Sequence, residues 1–556
     1  MTRSSMTFLN ALLAISILVG ACKEKTQART PSSGVPAAAF AVKSVDKSAI
    51  ESLLDVKISK VKPEQAEKAL SQMGLTEGSE FFEWAERTDR NGRHTYTNLR
   101  TKTGDGDDGD GNYMEIGKMD VAGAHMGGDA ATFDRVDMYD VALANSREDW
   151  VLTIDRFSLS NPSPALTSGG IESLRNPEDI NIGIGPDDVA FGAVLLEGLE
   201  LIYQDTRDKK RHDLANEIFG LERIYQDTGS KVRVKLDTLG WGEDRGTAGA
   251  MFLIKDMKLD ATEDESSIPV SFSLESASGT GLNMDYFRAM DATGSDGDNP
   301  AVGAITDYTK VFDTFSMKNL SLDLDTLSIS TDGMSASASQ KGKVTTFRQT
   351  LQPVEIGFSG EPKDAALLEF KKVLEYLELE DLALSFDYTA IMDEGRGTMS
   401  VENGTLHLRN VFRLDYDYKI AGLDHLSVNL NGETSEADIQ DMVAGLELLS
   451  MNVSLTDESL VEKVFAYAAE MQGTSPQLLR MQAKGALMLS TLGAQNEAQR
   501  DAISDAAQAL SGFMDGGGTL KIGLSPQEPL SAATFQDIDL KTVDPSKLGF
   551  SISHEK

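Results

Sequence analysis

The sequence holds a single cysteine, Cys22, in 556 residues. No internal disulfide can form, so packing and hydrogen bonds must hold the body together without covalent cross-links. Bases are also scarce: 52 Lys and Arg stand against 88 Asp and Glu, a formal charge of −36. A chain this acidic excludes nucleic acid as a partner, and excludes bulk-charge attraction to an anionic membrane. The six histidines (His94, His125, His212, His407, His425 and His554) never stand two, three or four residues apart. That excludes a local zinc signature. After Cys22 there is no run of 18 apolar residues, so no helix of membrane-spanning length is expected in the body.

Catalytic signatures are missing as well. Gly183-Ile184-Gly185 has Asp188 where a dinucleotide-binding loop needs its third glycine. Gly342-Lys343 is followed by Val344 and lacks the upstream glycine of a phosphate loop. Neither a Gly-x-Ser-x-Gly elbow nor His-Glu-x-x-His occurs. With 88 acids, carboxylates meet by chance, so their pairing carries no catalytic meaning. The expectation is a protein that is not an enzyme and needs no cofactor.

What is present begins at the N-terminus. Arg3 precedes an apolar run over residues 8–19, broken only by Asn10 and Ser16, and Gly20-Ala21 stand before Cys22. A positive start, an apolar stretch of this length and small residues at the end form a secretory signal. The run is too short to remain as a spanning anchor. With Cys22 directly after Gly20-Ala21, residues 1–25 resemble the signal and lipobox of bacterial lipoproteins. The resemblance implies diacylation of the Cys22 sulfur, with palmitate among the acyl groups, cleavage after residue 21, and acylation of the new amine. Three acyl chains, at about 0.8 kcal/mol per buried CH₂, would anchor the protein permanently. Lys23 in place of Asp resembles the sorting signal for the outer membrane, facing the periplasm. Residues 1–21 contain Arg3 and no acid, so their removal leaves the chain one unit more negative. Residues 22–45, basic and then rich in Pro, Ser, Ala and Gly, read as a flexible tether.

Folding is expected from Asp46. A short helix is predicted over 46–55, and a second from Pro63 to Met73 with Gly74 as its stop. Residues 79–99 read as a hairpin turning at Asp89-Arg90-Asn91-Gly92. Residues 46–125 are taken as an N-terminal α+β segment.

Beyond it a phrase recurs, apolar–x–(Asp/Asn/Gly/His)–apolar–x–aliphatic. Its copies are MYDVAL from Met138, LEGLEL from Leu196, IKDMKL from Ile254, MKNLSL from Met317, LEDLAL from Leu379, LDHLSV from Leu423 and FQDIDL from Phe535. Start-to-start spacings are 58, 58, 63, 62, 44 and 112. Each copy ends in the alternation of a half-buried strand, and the small polar residue suits a bend or bulge at strand entry. A period near 60 residues predicts stacked supersecondary units over 126–455, antiparallel strands with helices on one face. One such helix is predicted from Pro362 through PKDAALLEFKKVLEYLE, with Leu367, Phe370, Val373, Leu374 and Leu377 on one side. A short tandem copy, GLELIYQDT from Gly198 and GLERIYQDT from Gly220, predicts two similar strands.

Residues 456–556 read as a helical insertion followed by terminal strands. The helices cover 458–472, a segment opened by a Thr474–Gln477 capping box, and 496–514. The second carries Leu478, Met481, Met488 and Leu492 on one stripe, expected to fill a core. Flexible thioethers can also line a promiscuous surface.

The acidic loop GDGDDGDGN places Asp108, Asp110 and Asn112 at the 1-3-5 spacing of a calcium loop, but Tyr113 and Met119 stand where Gly and Glu are required. A solvated turn is the simpler reading, and GSDGDNP at 294–300 repeats the same chemistry.

The expected class is α+β, mainly antiparallel β in repeats of about 60 residues. Phrases such as MKNLSL resemble the AsmA-like and YdgA-like β-rich envelope proteins over residues 130–556. That resemblance implies a non-catalytic envelope role, with lipid or other envelope proteins as partners, although those proteins begin with a transmembrane helix. Two functions stay open: a binding or structural lipoprotein holding a hydrophobic ligand, and a calcium-dependent adhesion or scaffold lipoprotein using the acidic loops.

Overall fold

The structure, a computed structural model, describes residues 45–102, 112–145, 150–175, 191–204, 231–244, 249–262, 270–282, 312–324, 326–362, 365–376, 378–379, 381–423, 445–490, 497–531 and 545–556. They are mostly antiparallel strand with interspersed helices, an α+β protein. They divide into two compact units, the first holding 45–282 with 315–324 and the second 312–314 with 326–556.

The first unit starts with helices α1 (Lys47–Leu54) and α2 (Pro63–Gln72). Asp46 caps α1, its carboxylate accepting the Ala49 N–H at 2.9 Å. Gly74 ends α2 at φ +76°, and the Leu75 N–H reaches back to the Leu70 carbonyl at 2.8 Å, a Schellman-type stop. Strands β1 (Phe82–Glu83), β2 (Glu86–Arg90), β3 (Arg93–Thr101) and β4 (Asn112–Ala122) follow. Asn91 and Gly92, at φ +51° and +74°, form the expected tight turn. A small ribbon, β5 (His125–Gly127) with β6 (Ala130–Thr132), leads to β7 (Arg135–Asn145) and β8 (Trp150–Ser160). After α3 (Pro164–Arg175) come β9 (Ala193–Gln204), β10 (Lys231–Asp244), β11 (Gly249–Thr262), β12 (Val270–Leu282) and β13 (Thr314–Leu324). β3, β4 and β7 to β12 pair in turn, every pair antiparallel.

The recurrent phrase has a structural meaning in this sheet. In a regular strand, residues three apart face opposite sides. Yet Met138 and Val141 of β7 share one core, as do Leu196 and Leu199 of β9 and Tyr96 and Leu99 of β3. Between the members of each pair lies a residue with left-handed backbone: Asp140 at φ +52°, Gly198 at +63° and Asn98 at +49°. Asp256 in β11 and Asn319 in β13 do the same at +49° and +48°. Each resets the alternation, so the apolar residues on either side point the same way.

The register shows how. Tyr139 pairs with Lys118 and Val141 with Ile116, leaving Asp140 opposite Gly117 with equal residues on both strands. Asp155, Asp237 and Glu275 hold the same position in β8, β10 and β12. The expected bulge at strand entry is therefore corrected to a one-for-one phase switch inside the strand, because at these positions neither strand of a pair carries an extra residue. In the copy from Leu379 the polar residue does open a strand, Asp381, with Leu379 and Leu382 sharing a core. The copies from Leu423 and Phe535 fall almost wholly outside the described residues, as does the second tandem copy from Gly220.

Helices on one face was the expectation; in the first unit they lie on both. Ala193 and Leu195 of β9 pack with Ile50 and Leu54 of α1, whereas Leu196 and Leu199 point into the core shared with Leu70 and Met73. A strand with apolar residues on both sides needs cover on both. On the α1 side, Arg135 and Ser158 donate to the Asp137 carboxylate at 2.7–2.8 Å, and Arg156 reaches Glu51 and Glu197 at 3.2 and 3.0 Å. Arg135 also donates to the Leu54 carbonyl at 2.9 Å, clamping the end of α1.

The second unit continues with β14 (Leu327–Lys341), β15 (Val344–Phe358), α4 (Ala365–Tyr376), β16 (Asp381–Asp393), β17 (Thr398–Leu408), β18 (Phe412–Ala421) and β19 (Glu447–Asp457). Helices α5 (Leu460–Met471), α6 (Pro476–Ser490) and α7 (Glu497–Gly516) precede β20 (Gly518–Leu524), β21 (Leu530–Ser531) and β22 (Ser551–Glu555). The expected capping box shifts by one residue: the Ser475 hydroxyl accepts the Leu478 N–H at 3.2 Å. Pro476 fixes the first helical position, so the cap must be its neighbour Ser475 rather than Thr474.

Candidate hydrophobic binding face

Strands β14 to β19 pair in sequence, and β20 and β22 extend them. Directly opposed residues share a face, so the register sorts the side chains. One face is polar. There Arg413 pairs with Asp415 at 2.9 Å, Thr405 donates to Asp415 at 3.2 Å, and Arg348 pairs with Asp387 at 3.1 Å.

The other face is mainly apolar, interrupted by buried Gln349, whose side-chain oxygen accepts the Tyr388 hydroxyl at 3.0 Å. Leu351, Phe386, Leu406, Leu414, Leu455 and Leu520 form one cross-strand row. Tyr388 lies in a neighbouring row, and Tyr416 stands opposite Val453, which faces Ile522. Phe347, Ala390, Val401, Tyr418, Met451 and Leu524 form another. Aromatic rings gather here: Phe347 is 5.9 Å from Tyr388 and 6.2 Å from Phe312, and Tyr416 stacks on Tyr418 at 6.5 Å and 12°. Gly404 makes room for the Tyr416 ring, since a Cβ there would sit 2.4 Å from it.

Helices cover two parts of this face. Phe370 and Leu374 of α4 pack with Phe358, Leu382, Leu408 and Phe412. Val461 and Phe465 of α5, with Phe513 of α7, pack with Leu455, Leu520 and Ile522. Elsewhere Leu406, Leu414, Tyr388, Tyr416, Tyr418, Met451 and Val453 stay only half-buried. Burial raises the Tyr416 and Tyr418 phenols above the usual tyrosine range, so both rings are neutral. A neutral apolar surface with phenolic hydroxyls suits acyl chains or similar ligands, each Å² of apolar contact contributing about 25 cal/mol.

Other candidates offer less. A recess of about 200 Å³ lined by Ala498, Ala502, Asp505 and Phe550 is smaller than the roughly 300–1,000 Å³ of ligand pockets. Each histidine among the described residues has a structural partner. His94 meets Asp89 at 2.8 Å, His125 the Gly123 carbonyl at 2.8 Å, His407 meets Glu458 at 2.8 Å, and His554 the Gly517 carbonyl at 2.6 Å. No cluster of three His, Cys, Asp or Glu that could hold a metal occurs among the described residues.

Of the residues singled out in the sequence, Cys22, Asp108 and Asp110 lie outside the described residues. Asn112 opens β4 opposite Asn145. The apolar face itself was missed. Its signal is present in alternations such as LSISTDGMSASAS and FRLDYDYKIA, but which rows align depends on register.

A family model described as an uncharacterized protein matches residues 405–555, from within β17 to the end of β22. The chain matches no curated protein.

Proposed function

We propose that this protein is a bacterial envelope lipoprotein, anchored through acylated Cys22, whose body holds a hydrophobic ligand of the lipid class without catalysis. On this reading the anchor lies in the outer membrane and the body faces the periplasm. The observation that carries the binding role is the apolar face of β14 to β19, with Tyr416, Tyr418, Leu414 and Met451 half-buried beyond the reach of α4 and α5. A face serving stability alone gains most from being sealed, since full burial of such a side chain contributes about 1.5–3 kcal/mol.

We further read the sheet as built of repeated units of about 60 residues. Left-handed residues at Asp140, Gly198, Asp256 and Asn319, each the third residue of a phrase, support that reading.

The test uses the Cys22→Ser chain, purified without detergent and extracted for mass spectrometry. Phospholipid at near-stoichiometric amounts is expected, with loss of most of it in Leu414→Gln/Met451→Gln. A lipid-free preparation, or equal lipid in the double variant, would overturn the proposal.

A further inference from the structure

Helices α4, α5 and α6 carry large apolar residues on their outer sides as well as making inner contacts. Their inner sides pack on the sheet and on each other: Phe370 and Leu374 of α4, and Val461 and Phe465 of α5, belong to the two cores. Arg480 of α6 lies over the Phe465 ring at 5.3 Å, and Lys484 pairs with Asp515 of α7. Their outer sides carry nine of the eleven large hydrophobic residues exposed among the described residues. Met471, Met481 and Leu489 are 72%, 63% and 66% exposed, and Leu478 is exposed beside them. Tyr376 and Tyr467, exposed and 5.9 Å apart, join α4 to α5 at the same surface. The stripe read from the sequence as core filling is therefore corrected: Leu478, Met481 and Met488 are exposed, and α5 and α7 take the opposite side of α6. A helix apolar all round is ordinarily buried, and a concentrated exposed patch marks an interaction site.

Charge identifies what the patch meets. The chain carries 88 acids, yet residues 471–496 contain none. The only charged residues in that stretch, Arg480 and Lys484, turn inward to Phe465 and Asp515. So α6 is a neutral apolar window in a strongly acidic protein, the surface at which an anionic leaflet would not repel it. At its margin α4 and α5 bring exposed Glu375 and Glu470, with Glu470 bonded to the Tyr376 hydroxyl. Side chains more than 60% exposed stand out singly instead of lining a cleft. A fluid bilayer accepts such side chains without a packed complement, which a protein partner must supply. Tyrosine rings at the margin suit the headgroup level.

We infer that the outer face of α6, with Met471 ahead of it and Tyr376 and Tyr467 at its margin, is a membrane-docking surface that seats in the headgroup and acyl boundary of a phospholipid bilayer. The reach of the tether rests on the proposed acylation of Cys22. Residues 23–44 then span at most about 75 Å and keep the body at high local concentration near the bilayer, where a weak contact suffices.

Flotation of the Cys22→Ser chain with phosphatidylethanolamine–phosphatidylglycerol vesicles tests the surface without any acyl anchor, so its outcome is independent of whether Cys22 is modified. The chain should float with vesicles, and Met481→Asp/Leu489→Asp should lower the bound fraction about tenfold. Ser504→Asp/Gln508→Asp, on exposed positions of α7, adds the same charge and should leave binding nearly unchanged. All three proteins should share one unfolding midpoint. No flotation of the Cys22→Ser chain, or equal loss in both double variants, overturns the inference. Self-association abolished by Met481→Asp/Leu489→Asp in a chain that ignores vesicles also overturns it and assigns the face to a second copy.

Discussion

Asp155 and Gly198 face each other across β8 and β9, and the carboxylate of one fills the space a side chain on the other would need. A Cβ on Gly198 would lie 2.0 Å from the Asp155 Oδ2, at a backbone with φ +63°. Gly198→Ala should destabilise the first unit by about 2–4 kcal/mol, combining left-handed strain with the displaced carboxylate. Adding Asp155→Gly should recover the part due to the clash and leave the backbone part. Denaturant unfolding of the four proteins in the cycle separates the two; purely additive losses would contradict the contact.

Asp256 occupies the same line in β11, exposed and at φ +49°. Here nothing crowds the side chain, so the backbone alone decides. Asp256→Gly should be neutral or stabilising by up to about 1 kcal/mol, and Asp256→Val should cost about 1–2 kcal/mol. In an ordinary strand position the order would reverse, because valine favours strands and glycine does not. The order of the two midpoints is the measurement.

Asp137 should make the first unit sensitive to acid. Burial alone would raise its carboxyl, but hydrogen bonds from Arg135 and Ser158 and the charges of Arg135 and Arg156 outweigh burial and hold it below the usual carboxylate range. A folded pKa below the unfolded value near 3.9 adds stability that is present above that pH and lost as pH falls through the folded pKa. Asp137→Asn should cost about 3–5 kcal/mol at pH 7 by leaving the half-buried Arg135 without its carboxylate partner, while Arg156 keeps Glu51 and Glu197. The gap to the parent should narrow below pH 4. A pH-independent gap would assign the loss to packing.

Cys22→Ser should convert the protein from one retained by membranes through a high-pH wash to one that the wash releases, with its far-ultraviolet circular dichroism unchanged. In the parent, the N-terminal peptide recovered from membranes should begin at Cys22 and carry the mass of its acyl groups. An unmodified Cys22, or a variant that survives a high-pH wash of the membranes, would remove the anchor.

Features fixed by local chemistry were legible in the sequence. Asn91-Gly92 turns the first hairpin, Pro63 opens α2, Gly74 closes it, and the helices near 46–55, 362–378 and 458–514 lie where their periodicity put them. Features fixed by partners were not. Asp140 in MYDVAL reads as a turn former, because the sign of φ leaves no mark on composition; only the shared core of Met138 and Val141 reveals a switch within the strand. Met481 and Leu479 lie on different sides of α6 and look alike in sequence, so nothing local tells which side α5 and α7 will take. The apolar face was hidden for a related reason. Tyr416 and Val453 become neighbours only once β18 and β19 are in register.

The one-for-one alignment of Asn98, Asp140, Gly198 and Asp256 across the first sheet makes that sheet easy to lengthen in evolution. A newly inserted strand that brings its own left-handed residue enters already in step, and its neighbours keep their inward residues without compensating changes. The copied segment GLERIYQDT begins at Gly220, the counterpart of Gly198. Growth by insertion of such strands needs no redesign of the existing core.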